Sequence, residues 1–250
     1  MGKHLNNRTA IITGAGSGIG KAVALLMAAE GANIVVSDIS EENGKEAVDE
    51  LEQKGGKAIF VKADSSSPKD NEALVAAAVK EFGNLHIAVN NAGIGGPIGP
   101  TGEYPIEGWQ KVIDINLSGV FYGMRYQIPA MLKAGGGSIV NISSILGQAG
   151  TKGSSAYVAA KHGVVGLTKA AALDHAAQKI RINAVGPGYV NTPLLTGMED
   201  DARKALLGLH PIGRLGESEE IAELVLWLAS DKASFVTGSY YAADGGYLAQ

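Results

Sequence analysis

In the stretch "SSAYVAAKHG", residues 154–163, a phenol and an ammonium stand four residues apart among Ser, Ala and Gly. On a helix that spacing places Tyr157 and Lys161 on one side, about one turn apart. A free phenol titrates near pH 10, too high to act as a base at neutral pH. A nearby ammonium favours the phenolate. The pair therefore reads as a general acid/base, Tyr157, tuned by Lys161, with small neighbours that let ligands come close. A plain Tyr–Lys pair on a solvated helix has the same spacing, so the surrounding chain must decide.

A second candidate lies near the start. The strand-like "TAIIT" runs into "GAGSGIGKA", which sets Gly14, Gly18 and Gly20 in the pattern TGxxxGxG, with Ser17 and Ile19 in the same turn. This is neither the strict G-x-G-x-x-G fingerprint nor a P-loop. The physical logic is shared: glycines permit the tight turn, and bare N–H groups at a helix N-terminus meet a pyrophosphate. Asp38 ends the next strand, eighteen residues past Gly20. A carboxylate there accepts ribose hydroxyls and repels a 2′-phosphate, and no Arg or Lys flanks it, so the pattern favours NAD over NADP. The competing readings are an ordinary glycine turn and, for Asp38, a helix N-cap.

These groups need elements to hold them. Apolar runs at Thr9–Thr13, Asn33–Asp38, Lys57–Ala63, Leu85–Asn91, Ser138–Ser143, Ile180–Pro187 and Gly238–Ala243 read as strands covered on both faces. Helical stretches lie between them: Gly18–Glu30, Ser40–Lys54, Pro68–Phe82, Ile106–Ala134, Ser154–Gln178 and Ser218–Ser230. The alternation predicts one α/β domain over residues 1–250, a Rossmann-like doubly wound parallel sheet of about seven strands. Ligands then bind at the carboxyl ends of the strands. The long connection Gly188–Gly216 reads as a substrate-binding loop with a short helix near Glu199–Leu207. Residues about 191 to 212 are expected to act as a lid.

Composition excludes other classes. Apolar residues make up 46% and charged ones 18%, which marks a folded chain. Cysteine is absent, and the five histidines show no H-E-x-x-H spacing, so no metal site is expected. A net charge of -4 gives no footprint for nucleic acid. No signal peptide and no run of about 18 apolar residues is seen, so a soluble cytoplasmic protein is expected, with no membrane partner. No G-x-S-x-G elbow supports a hydrolase.

Seven motifs then stand in order: "TGAGSGIG", "NNAG" (Asn90–Gly93), "DIN" at Asn116, "NISS", "YVAAK", "PGYVNT" (Pro187–Thr192) and "ADGGY". Together they resemble the short-chain dehydrogenase/reductase family over essentially the full length. The resemblance implies a tetrad of Asn116, Ser144, Tyr157 and Lys161. The serine is placed thirteen residues before the tyrosine, although Ser143 is adjacent. Asn116 would break its helix and hold a water that links Lys161 to solvent. On the residues alone it reads equally as a buried Asn satisfied by backbone. The resemblance also implies cofactor contacts from Ser17 and Ile19, from Asp64 and Ser65 at the adenine, and from Asn91, Ala92 and Gly93 beside its ribose. Pro187, Gly188, Val190 and Thr192 would meet the nicotinamide, and Lys161 its ribose.

The implied function is NAD-dependent interconversion of a secondary alcohol and a ketone, with Tyr157 as acid/base. A 3-oxoacyl carrier-protein reductase and a non-catalytic NAD(H)-binding protein are the alternatives. The expected pocket, Ile94–Ile98, Leu146, Gln148, Tyr189 and the Leu194–His210 loop, is mostly neutral. It suits a small neutral alcohol or ketone, including a cyclic one. The helix around Tyr157 and the segment Trp109–Leu132 are apolar around much of their circumference, which predicts a homo-oligomer. The resemblance adds a second contact, through the last helix and "SYYAADGGYLAQ", which makes it a homotetramer.

Overall fold

Apolar runs this continuous need cover on both faces, and the computed structural model supplies it. The structure describes residues 4–195 and 200–250, except the side chains of Leu194, Asp200, Ala202 and Arg203. Seven strands form one sheet: β1 (Thr9–Thr13), β2 (Asn33–Asp38), β3 (Lys57–Lys62), β4 (Ile87–Asn90), β5 (Gly137–Ile142), β6 (Ile180–Pro187) and β7 (Tyr240–Ala243). Their order is β3-β2-β1-β4-β5-β6-β7, and every pairing is parallel. The order reverses between β1 and β4, which opens a crevice at the carboxyl ends of those strands.

The two faces bury alternate residues. Ile12 packs with Val23 and Met27 of α1 (Gly18–Ala29), Leu51 of α2 (Glu41–Gln53) and Val225 of α8 (Ser218–Ala229). Its neighbour Ile11 points the other way, as a period of two requires. There it joins Leu74 of α3 (Pro68–Phe82), Met124 of α5 (Gly119–Lys133) and Val164 of α6 (Ser155–His175). A third cluster joins Val112 of α4 (Ile106–Ile113) to Ala156 and Ala160 of α6, with Tyr157 packed against it.

Local chemistry starts the helices where expected. Ser40 and Ser67 cap α2 and α3 by accepting from the Asn43 and Asp70 amides, and Pro68 stands at the first turn of α3. Helix α8 carries a reciprocal capping box between Glu217 and Glu220.

The helix expected over Ile106–Ala134 is interrupted by a π-helical turn at Asp114–Ser118, the local break that the resemblance implied at Asn116. There the Asn116 side chain bonds the Ile94 backbone in both directions. The last strand starts at Tyr240, because Gly238 has φ +72 and leaves extended geometry. The connection Gly188–Gly216 contains a 3-10 turn, Pro193–Leu195, and α7 (Asp200–Gly208). Glu199 of the expected helix and residues 196–199 of the expected lid lie outside the described residues. Among the described residues, no helix is long and apolar enough to cross a membrane.

Candidate active site

The glycine turn is shaped by bonds from the neighbouring strand. Gly14 and Gly18 take φ +62 and +51, the left-handed region that favours glycine. A Cβ on Gly20 would fall on the Gly14 carbonyl oxygen and stand 2.6 Å from Asn91 Nδ2. Asn91 Nδ2 donates to the Thr13 and Gly14 carbonyls at 2.9 and 3.1 Å. The Asn91 and Ala92 amides donate to Thr13 Oγ1. The side chain of Asn91, expected beside the adenine ribose, is therefore a brace that fixes the loop. The Ser17 side chain makes no cap bond to α1, so among the described residues the amides of its first turn, Gly18, Ile19 and Gly20, are left bare.

Asp38 faces this loop. Its Oδ2 accepts from the Gly16 amide and its Oδ1 from the Ser40 amide, both at 2.9 Å. Ser40 is the cap of α2, so Asp38 is not. Lys62 pairs opposite Asp38 on β3, but its ammonium lies 3.8 Å from Glu41. Asp64 accepts from the Ser66 amide and hydroxyl at 2.8 and 2.7 Å. The Ser65 carbonyl accepts from Asn71 and packs against Gly119 at the end of the π turn.

Across the crevice, the Thr192 methyl would lie 3.3 Å from a Cβ on Gly18, so the segment after β6 faces the cradle. Thr192 Oγ1 donates to the Val190 carbonyl, and Val190 bridges Gly216. Gly188, just past Pro187, donates to the Ala243 carbonyl. A bare helix N-terminus, a turn with no room for a Cβ and a carboxylate at the end of β2 fit a dinucleotide. Such a cofactor supplies a hydride donor or acceptor.

At the end of β5 the tetrad converges. Lys161 is 3% exposed, and its ammonium donates to the Ile142 carbonyl at 2.8 Å. It stands 5.5 Å from the centroid of the Tyr157 ring. The two serines separate by geometry. Ser143 Oγ donates to the Lys161 carbonyl at 2.9 Å, which ties the strand to the helix. Ser144 Oγ accepts from the Leu146 amide at 3.1 Å, and its hydroxyl draws the Tyr157 phenol down. Of the two serines, Ser144 is the one that influences Tyr157. Asn116 is fully buried, accepting from the Ile94 amide at 2.9 Å and donating to its carbonyl at 2.8 Å. Its side chain holds the loop after β4, as the backbone-satisfied reading had it. A Cβ on Gly93 would stand 3.2 Å from Asn116 Oδ1 and 3.7 Å from the Lys161 ammonium. Glycine there keeps the ammonium approachable.

The protonation balance differs from the expectation. Burial pushes the Tyr157 phenol up, the Ser144 hydroxyl pulls it back, and Tyr189 adds to the rise. Burial pulls Lys161 down to about 8. Desolvation thus outweighs the neighbouring ammonium, whose hydrogen bond goes to Ile142 rather than the phenol. Tyr157 is set to hold its proton at neutral pH, which suits an acid for ketone reduction. The positive ring of an oxidised nicotinamide favours the phenolate that alcohol oxidation needs.

Several groups support the site through contacts that no sequence motif specifies. Asn90, Gln127, Asn141 and Thr168 form a buried network linking β4, α5, β5 and α6 beneath the site. His210, 3% exposed, accepts from the Tyr189 amide at Nε2, with Nδ1 toward the Leu206 carbonyl. Its ring packs with Tyr189 and Tyr247. Of the expected pocket residues, Ile94 is half-buried and Ile98 exposed, whereas Leu146 is buried. Gln148 opens instead onto a cleft of about 650 Å³ with Lys169, Tyr240 and Leu248.

Such a frame belongs to proteins that pass hydride to and from a dinucleotide, and similarity narrows the class. The short-chain alcohol-dehydrogenase model described as enoyl-(acyl carrier protein) reductase matches residues 14–248. The chain belongs to the short-chain dehydrogenase/reductase family. It is similar to a cyclohexanol dehydrogenase of Acinetobacter sp. (strain SE19), 55% identical over 100% of this chain and 98% of that one. It is 45% identical to a cis-4-hydroxycyclohexanecarboxylate dehydrogenase of Sinomonas cyclohexanicum over the full length of both. Among solved structures, a levodione reductase superposes with a TM-score of 0.93 at 38% identity, covering 98% of this chain and 99% of that one. The protein is accordingly an oxidoreductase acting on CH–OH groups.

Proposed function

We propose that the protein is an NAD(H)-dependent dehydrogenase that interconverts a small, neutral, cyclic secondary alcohol and its ketone. The observation that carries the chemistry is the Ser144–Tyr157–Lys161 group at the edge of the dinucleotide cradle. The relatives named for cyclohexanol and a hydroxycyclohexane acid support a ring substrate. Ile94, Ile98 and Tyr189 bring no charge, which supports a neutral one.

In this reading Ser144 donates to the substrate oxygen and holds it about 3 Å from the phenol. In reduction, Tyr157 gives its proton to the oxygen as negative charge builds there. In oxidation it takes the hydroxyl proton. Lys161 keeps positive charge beside the ring and grips the nicotinamide ribose. Asp38, held by the Gly16 and Ser40 amides, accepts the adenosine ribose hydroxyls and repels a 2′-phosphate. This opposes the 3-oxoacyl carrier-protein reductase reading, which similarity to a 3-oxoacyl-[acyl-carrier-protein] reductase of Thermotoga maritima, 41% identical over 98% of this chain and 99% of that one, keeps in view.

With cyclohexanol as substrate, kcat/KM is expected to be at least ~10-fold higher with NAD than with NADP, and Asp38→Ala is expected to shift the ratio toward NADP. A wild-type preference for NADP would show that Asp38 only organises the loop. Turnover of an acetoacetyl thioester with NADPH in place of ring alcohols would support the carrier-protein reading.

The same reading includes a homotetramer. Along α6 the exposed positions Ala159, Gly166, Ala170 and Leu173 form a small, apolar stripe, and Leu173 is 84% exposed. Phe121 and Leu132 of α5 are exposed as well. A symmetry mate would cover both helices. Sedimentation equilibrium at micromolar concentration is expected to give four times the 25.6 kDa chain mass. A fully active monomer would contradict this, and a stable dimer would leave one interface standing.

A further inference from the structure

We infer that Tyr240 is a positioning residue for the reaction, holding the backbone of Ser144 so that the serine hydroxyl stays aligned with Tyr157. Tyr240 opens β7, the edge strand, ninety-six residues from Ser144. Its hydroxyl donates to the Ser144 carbonyl at 2.9 Å. Strand β6 lies between β7 and β5, so the phenol must cross it. It does so at Gly186, where a Cβ would fall on the Tyr240 hydroxyl. A glycine on one strand and a tyrosine on the next thus make one device, aimed at the serine.

The other bonds of the serine loop show what this one adds. The Ser143 amide donates to the Val185 carbonyl at 2.7 Å, and Ser143 Oγ hooks the Lys161 carbonyl. Both fix the residue before Ser144. Apart from the Tyr240 contact, the backbone of Ser144 and its hydroxyl bond, among the described residues, the Leu146 and Gly147 amides of its own 3-10 turn. Tyr240 alone, among the described residues, ties the Ser144 backbone to a distant part of the fold. Burial, with Asp244 nearby, pushes the Tyr240 phenol up to about 12, so it stays a donor at neutral pH.

This inference rests on the reading of Ser144 as the group that holds the substrate oxygen. Tyr240→Phe keeps the ring and removes the single bond. It is expected to lower kcat about five- to tenfold, the scale of one hydrogen bond, with the KM for NAD within twofold and little change in Tm. Since the Ser144 hydroxyl pulls the Tyr157 phenol down, the pH profile of alcohol oxidation is expected to move to higher pH. In a Ser144→Ala background, Tyr240→Phe is expected to cost nothing further. A wild-type kcat and pH profile, or the same loss again in the Ser144→Ala background, would overturn the inference while leaving the role of Ser144 intact. Full activity of Ser144→Ala alone would remove both.

Discussion

Tyr157→Phe is expected to lower kcat by about 10³-fold, the usual scale for losing a positioned acid/base. Only an oxygen and its proton are removed. The ring stays packed against Val112, Ala156 and Ala160, and Lys161 keeps its bond to the Ile142 carbonyl. Cofactor affinity, read from NADH fluorescence, should therefore remain within a few fold. Activity above about a tenth of wild type would assign the proton transfer to another group. The wild-type enzyme offers a second readout. Because burial raises the phenol, its basic form grows as pH climbs above neutral. Alcohol oxidation should accelerate with pH, and ketone reduction, which uses the protonated form, should slow over the same interval.

Gly20→Ala is the second large effect. The added methyl would meet the Gly14 carbonyl oxygen and Asn91 Nδ2, two atoms already bonded to each other at 3.1 Å. Neither can give way without opening the bracket that shapes the cradle. Overpacking of this kind costs about 1–3 kcal/mol, which, taken up by the cradle, corresponds to a cofactor dissociation constant raised roughly 5- to 150-fold. Fluorescence titration and thermal melting should both register the change. Gly102→Ala, with open space around its Cβ, is the matched control and should bind as wild type does. A Gly20→Ala protein that also binds normally would show that the turn relaxes without cost.

Much of this organisation was legible in the chain because its signals are local. The continuous apolar runs of β1, β2 and β6 and the Pro68–Phe82 helix end where the sequence predicts. The i,i+4 spacing of Tyr157 and Lys161 put both on α6 beside the crevice. What was not legible depends on partners far away in sequence. The break at Asn116 was implied by the resemblance, but its partner Ile94, twenty-two residues upstream, was not. The side-chain bonds by which Asn91 braces the glycine loop could not be read either, since its neighbours on β1 exist only once the sheet has formed. His210 and Tyr240 act through single bonds to Tyr189 and Ser144, which no spacing rule anticipates. The sign of the Tyr157 shift also escaped, because it depends on how completely water is excluded, a property of the finished pocket.

The reversal of strand order between β1 and β4 has a consequence for the life of the protein. The cradle is assembled from the ends of β1, β2, β4 and β6, so its parts run from Gly14 to Thr192. No early fragment of the chain carries the whole of it. A nicotinamide dinucleotide then recognises only the completed fold, and its binding draws the unfolding equilibrium toward the native state. At a hundred times its dissociation constant the ligand contributes about 2.7 kcal/mol, a sizeable fraction of the stability of a domain. The abundance of the enzyme, through its exposure to proteases, would then follow the cell's supply of the dinucleotide as well as its gene expression.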